Sequence, residues 1–203
     1  MPITIRPGST VMFTGDSITD CRRRESEDGL GTGYPLRVAG EWAHRHPDRP
    51  VTWLNTANAG DKVMDLEARW RLDVLDARPD VLSVLVGVND TGWHTLDPDG
   101  YPIPAERFEA GYDLLLPVHG VVEGPGTVLI GEKERAEWRA DLDPKIQAVR
   151  RLARRYGAQL LAADGRFAEL AATTAPEHWS EDGVHPTRAG HAALAASWLR
   201  LVT

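Results

Sequence analysis

The chain has 203 residues, 42% of them hydrophobic and 26% charged, an ordinary globular composition that excludes disorder, collagen and coiled coil and suits a single domain over 1–203. Thirty Asp and Glu against 23 Lys and Arg give a formal charge of −7, which argues against nucleic acid as a partner. No run approaches the roughly 18 apolar residues of a membrane helix, and MPITIRPGST has no apolar signal core, so neither membrane insertion nor a signal peptide is expected. One cysteine, Cys21, allows no internal disulfide and fits a reducing, cytoplasmic home. With no CxxC and no Cys/His cluster, no metal and no other cofactor is expected.

Apolar runs alternate with helix-period segments along the chain. Residues 10–14 read as a buried strand; Leu36, Ala39, Trp42 and Ala43 then share a helical face. A second strand is expected at 51–54, followed by a stripe of Leu66, Trp70 and Val74. Residues 81–86 (VLSVLV) are the strongest strand, and Phe108, Tyr112, Leu115 and Leu116 make the next helical stripe. A fourth strand is expected at 127–130. Asp143 and Pro144 are placed to cap and begin a helix whose buried stripe is Ile146, Val149, Leu152, Ala153 and Tyr156, with Gly157 as its stop. A fifth strand over 158–162 and an Ala-rich helix over about 188–201 complete the chain.

Five β-α alternations whose strands are apolar throughout, rather than alternately, predict a parallel sheet buried between helices: a doubly wound, three-layer α/β/α sandwich. Ligands of such sheets bind beyond the carboxyl ends of the strands. A site would therefore draw on residues 15–33, 55–63, 87–103, 131–139 and 164–187.

Four of those windows carry chemistry. Gly15-Asp16-Ser17-Ile18-Thr19-Asp20 follows the first strand, Asn55-Thr56-Ala57-Asn58-Ala59-Gly60-Asp61 the second, Gly87-Val88-Asn89-Asp90 the third, and Asp182-Gly183-Val184-His185-Pro186 precedes the last helix. A serine nucleophile needs a base, and the base needs a partner that fixes its tautomer. Asp182 and His185, three apart on one loop, can meet each other, and Ser17 at the end of the first strand could face them. The Ser17 N–H, an N–H near Ala57 and the Asn89 amide are candidate oxyanion donors.

These blocks, in this order, resemble the SGNH branch of the GDSL hydrolases over nearly the whole chain: GDSITD is similar to the first block, GVND to the third and DGVHP to the fifth. The resemblance implies a flavodoxin-like five-stranded parallel sheet and metal-free hydrolysis of a carboxylic ester or thioester. It also implies a catalytic triad of Ser17 as nucleophile, His185 as base and Asp182 as its orienter, with Asn89 as oxyanion donor. The second block departs from the family's Asn-x-Gly-x-x-Gly-Asp: Ala57 stands at the first glycine position. Alanine keeps its N–H but resists positive φ, so a relaxed loop or a misaimed donor is expected there. A small-molecule ester with a short acyl group, acetyl on a sugar or small alcohol above all, is the expected substrate.

Other readings stand beside this one. Lysophospholipase and thioesterase activity would use the same triad. A non-catalytic flavodoxin-like module could hold phosphate on the first loop, but leaves DGVHP unexplained. An Asp16-based phosphatase lacks its second aspartate two residues on, and Ala57 leaves room for a degenerate homologue. Asp16, Thr19, Asp20 and Asp90 are expected to fasten loops. Trp93, His94, Trp138 and Trp179 are candidates for the substrate pocket, although the seven tryptophans suit core filling as well. His44, His46, His119 and His191 are expected at the surface or in packing, and Arg22-Arg23-Arg24 on a solvated face.

Overall fold

The computed structural model describes residues 2–91, 103–116, 120–123 and 132–203, with side chains described outside 120–123 and 132–137. Five strands form one parallel sheet in the order β2-β1-β3-β4-β5: β1 (Thr10–Gly15), β2 (Thr52–Asn55), β3 (Val81–Leu85), β4 (Gly120–Glu123) and β5 (Gln159–Leu161). This is the flavodoxin-like order, in which the chain reverses its direction of winding between β1 and β3. The described residues form seven α-helices: α1 (Ser17–Asp20), α2 (Tyr34–Arg45), α3 (Val63–Trp70), α4 (Ala105–Leu115), α5 (Glu132–Tyr156), α6 (Ala163–Ala171) and α7 (Arg188–Trp198). None is long and apolar enough to cross a membrane.

Successive strand residues point to opposite faces, and the core divides accordingly. Val11, Phe13, Val81 and Leu85 meet Tyr34, Val38 and Trp42 of α2, Phe167 of α6, and Leu194 and Trp198 of α7. Met12, Leu82 and Val84 meet Leu66 and Trp70 of α3, Phe108 and Tyr112 of α4, and Val149 and Leu152 of α5. Each such side chain, fully buried, contributes about 1.5–3 kcal/mol of transfer free energy. Ser83 shares the first face and accepts a hydrogen bond from Trp198 Nε1 at 3.1 Å, which satisfies the one polar atom of that indole. Near the sheet's opposite end, segments 3–5 and 201–203 lie side by side: Ile3 and Val202 form a parallel bridge, with Ile3 N donating to Leu201 O and Thr203 N to Ile3 O.

Three expectations are corrected. The fourth strand is Gly120–Glu123, where no strand was expected; the run 127–130, where it was expected, lies outside the described residues. The helix expected to begin at Pro144 is continuous from Glu132 to Tyr156 with that proline inside it. Proline removes one helical hydrogen bond, and the carbonyl so released belongs to exposed Ala140, where water can replace the lost donor. Finally, the buried face of α2 is Tyr34, Val38, Ala39 and Trp42, while Leu36 is 38% exposed and Ala43 is exposed.

Candidate active site

Strand β1 delivers Ser17 through a turn that only glycine fits. Gly15 has φ +148°, and a Cβ there would stand 1.8 Å from the Leu85 carbonyl oxygen. Asp16 then caps α1, its Oδ1 accepting from Ile18 N at 3.0 Å. Ser17 is the first helical residue, so its own N–H has no intrahelical acceptor. The helix stops after one turn because Cys21 and Arg22 are both left-handed, at φ 38° and 66°. Two consecutive non-glycine residues in that region have no sequence signal.

The loop before α7 brings the other two groups. Ser17 Oγ lies 2.8 Å from His185 Nε2, and His185 Nδ1 lies 2.6 Å from Asp182 Oδ2. The second Asp182 oxygen accepts from the backbone N–H of Val184 (2.9 Å) and of His185 (2.7 Å). Burial alone would push the Asp182 carboxyl up, but the His185 ring, these two N–H groups and the His185 charge together hold it below the usual carboxylate range. An ionised Asp182 beside Nδ1 keeps the proton on that nitrogen and leaves Nε2 as the acceptor for the serine hydroxyl. Buried Ser180 fixes the loop by donating to His185 O at 2.8 Å. The two side chains remain accessible, 53% for His185 and 56% for Asp182.

The second and third loops are knitted together beside the serine. Asn55, buried at the end of β2, donates from Nδ2 to Thr19 O (2.8 Å) and Leu30 O (3.1 Å). Its Oδ1 accepts from Ala57 N at 3.0 Å. The backbone donor expected at Ala57 is thus engaged by a side chain, and Ala57 is fully buried without positive φ. The loop has relaxed to suit alanine. Asn89 Nδ2 donates to Asp61 O at 3.0 Å, which orients the amide at the β3 end. Asp90 accepts from Val63 N with both oxygens, at 3.2 and 3.1 Å. Burial drives Asp90 up to about 7 against the opposing pull of the Val63 N–H and Lys145. Burial likewise lifts Asp16 to about 7, helped by Asp90 and Asp61 and opposed by the Ile18 N–H. Asp20 accepts from Arg23 N and Ala59 N, so Asp16, Asp20 and Asp90 all hold backbone N–H groups as expected of loop fasteners, whereas the Thr19 hydroxyl meets the Tyr34 hydroxyl instead.

Several fasteners had no signal in the sequence. Lys145 is fully buried and donates to Asp90 O (2.7 Å), Thr91 Oγ1 (3.2 Å) and Asp141 Oδ2 (2.6 Å), so α5 grips the loop that carries Asn89. Arg69 spans Asp61 Oδ2 (2.6 Å), Thr56 O (2.7 Å) and Asp73. Within the arginine run, Arg22 pairs with Glu25 in solvent, whereas Arg23 donates to Ala57 O and Arg24 to Asn58 Oδ1. Two of the three therefore brace the second loop, where a purely solvated face was expected.

Of the pocket candidates, Trp138 and Trp179 are partly buried against the first core cluster, and Trp93 and His94 lie outside the described residues. His191 is a packing residue: its Nδ1 accepts from Tyr34 N at 3.2 Å, and burial first, then Arg37 and His185, lower it to about 4. His46 packs on Trp42 and His44 is exposed; His119 lies outside the described residues. A groove of about 660 Å³ opens beside the triad, walled by Asp182 and His185 together with Glu177, His178, Glu181 and Arg188.

The chain is similar to known proteins in both sequence and fold. Residues 13–193 match the GDSL-like Lipase/Acylhydrolase family. The acetylxylan esterase of Geobacillus stearothermophilus is 32% identical over 97% of this chain and 94% of its own length. Its crystal structure superposes with a TM-score of 0.87 at 30% identity, covering 97% of this chain and 94% of the other. Two further structures of that esterase are catalytic mutants in which a serine and a histidine are replaced by alanine. A GDSL-like lipase structure from Parabacteroides merdae gives a TM-score of 0.90 at 30% identity, covering 99% and 98% of the two chains. This chain belongs to the GDSL-like lipase/acylhydrolase family and is a carboxylic ester hydrolase.

Proposed function

We propose that the protein removes short acyl groups, acetyl above all, from a sugar or other small alcohol through an acyl-enzyme on Ser17. The observation that carries this reading is the continuous relay from Ser17 Oγ through His185 to Asp182, at 2.8 and 2.6 Å. In the first step the Ser17 oxygen attacks the acyl carbonyl carbon while its proton passes to His185 Nε2. The resulting imidazolium is stabilised by the Asp182 carboxylate. The carbonyl oxygen becomes an oxyanion, held by the Ser17 N–H and the Asn89 amide. Ala57 N–H, already bonded to Asn55, contributes only by sharing its hydrogen. The imidazolium then gives its proton to the departing alkoxide, the C–O bond breaks, and the acyl group stays on Ser17. Water, deprotonated by the same nitrogen, attacks the acyl-enzyme and restores the serine.

A short acyl group is supported by the acetylxylan esterase relative, which matches 97% of this chain. The test is hydrolysis of p-nitrophenyl esters of rising chain length by wild type, Ser17→Ala and His185→Ala. Highest kcat/KM on the acetyl ester is expected. Each substitution should lower kcat by about 10⁴-fold or more, toward the residue that binding and oxyanion donors alone supply. A maximum at eight carbons or longer overturns the short-acyl reading, and near-normal turnover by the His185 variant overturns the triad.

A further inference from the structure

The groove beside the triad carries a charge that the acylation chemistry does not use. Its walls include the carboxylates of Glu177, Glu181 and Asp182, one guanidinium, Arg188, and the His178 ring. Asp182 is committed to His185. Glu177 and Glu181 are exposed and held in no ion pair among the described residues. Of the arginines that follow Ser17, Arg23 and Arg24 are turned away onto Ala57 O and Asn58 Oδ1 of the second loop. The groove wall is therefore electronegative: its one guanidinium, Arg188, balances at most one of the two glutamates.

Its place relative to the reacting atoms decides what meets that charge. The imidazole that forms one wall must protonate the leaving oxygen, so the alcohol half of the ester lies against His185, whereas the carbonyl oxygen points toward Ser17 N–H and Asn89. A bulky alcohol extending past the imidazole would enter the groove that His185 and Asp182 line, whose volume of about 660 Å³ lies in the range of small-molecule sites. We propose that Glu177 and Glu181 are specificity residues for the alcohol half. They admit esters of neutral polyhydroxy alcohols, whose hydroxyls can donate to the two carboxylates, and reject esters whose alcohol carries phosphate or carboxylate. This rests on the esterase reading above and narrows it: phosphate-bearing lipids and coenzyme thioesters are disfavoured by like charge at the place where the leaving group must stand. Exposed carboxylates act through a largely aqueous medium, so the discrimination is modest and salt-sensitive.

The experiment compares phenyl acetate, 4-carboxyphenyl acetate and 4-(trimethylammonio)phenyl acetate at about 10 mM ionic strength, where screening is weak. Wild type is set against Glu177→Gln/Glu181→Gln, and the ratio of variant to wild-type kcat/KM is read for each ester, which cancels intrinsic reactivity. The double substitution should raise the anionic ester about two- to fivefold, lower the cationic one by a similar factor and leave phenyl acetate within about twofold. Equal changes on all three esters, or none, overturn the proposal. If the variant folds poorly, wild type alone decides: adding about 0.5 M salt should raise the rate on the anionic ester relative to phenyl acetate and lower that on the cationic one, and a flat response overturns the proposal. Failure of wild type to hydrolyse phenyl acetate, or full activity in Ser17→Ala, would instead strike the esterase reading itself.

Discussion

At the scale of single residues, the proposed reacting groups and their fasteners differ in how they can be read. Ser17, Asn89, Asp182 and His185 stand in short motifs whose chemistry is local, so their residue types announce them. The groups that hold them do not. Lys145 touches Asp90 and Thr91 across more than fifty residues, and a lysine at a polar helix position looks like any solvated one. Asp16 was legible as a loop fastener, but its burial was not, and that burial makes a testable difference. Its carboxyl is raised from an ordinary 3.8 to about 7, as is that of Asp90, while His191 is lowered from 6.5 to about 4. Between about pH 4 and 6.5 the native state thus keeps two protons the unfolded chain has released, and lacks one the unfolded chain holds. A raised carboxyl contributes stability below its unfolded pKa and loses it as pH rises through the folded value. Asp16→Asn removes one of the two retained protons. Urea unfolding at pH 4.5 and 7.5 should show wild type losing stability relative to the variant over that interval by on the order of 2–4 kcal/mol. A difference independent of pH would mean that Asp16 is ionised in the folded protein throughout.

At the scale of elements, periodicity found helices and strands wherever a buried stripe dominates. The stripes through Leu66 and Trp70, through Phe108 and Tyr112, and through Val149 and Leu152 are all buried. Boundaries failed where one strong local signal outweighed context. Asp143-Pro144 looks like a helix start, yet Leu142 is fully buried just before it and packs with Ile146 one turn later, so packing carries the helix through. The loop from Trp179 to Thr187 is held by its own hydrogen bonds and also by close packing on α7. A Cβ at Gly190 would come 2.3 Å from Trp179 O and 2.8 Å from Pro186 Cβ, which forces the loop bearing His185 off the helix. Gly190→Ala should cost about 1–3 kcal/mol and lower kcat on an acetyl ester by tenfold or more, since small displacements of a positioned base are expensive. Gly40→Ala is the control: on exposed α2, with nothing within 4 Å of the added methyl, it should gain up to about 1 kcal/mol and leave turnover unchanged. Equal behaviour of the two variants would show that helix contact does not hold the imidazole in place.

At the scale of the whole molecule, the layer architecture was readable because five apolar runs separated by amphipathic segments have few ways to bury themselves. The placing of the site followed from it: Ser17 and Asn89 leave the two strands, β1 and β3, between which the winding reverses. What no local pattern could supply was the pairing of segments 3–5 and 201–203. That pairing has a topological consequence. Because the two segments run parallel, a joining peptide need only turn back over about 10 Å, a span that roughly eight Gly and Ser residues cover easily. New termini could then be opened at 172–175, where every residue is exposed between α6 and the turn before Trp179. Such a circular permutant would be synthesised with His185 ahead of Ser17, reversing their order along the polypeptide. It should nevertheless hydrolyse acetyl esters with kcat within about tenfold of the original, because catalysis depends on where the two groups meet and not on which is made first.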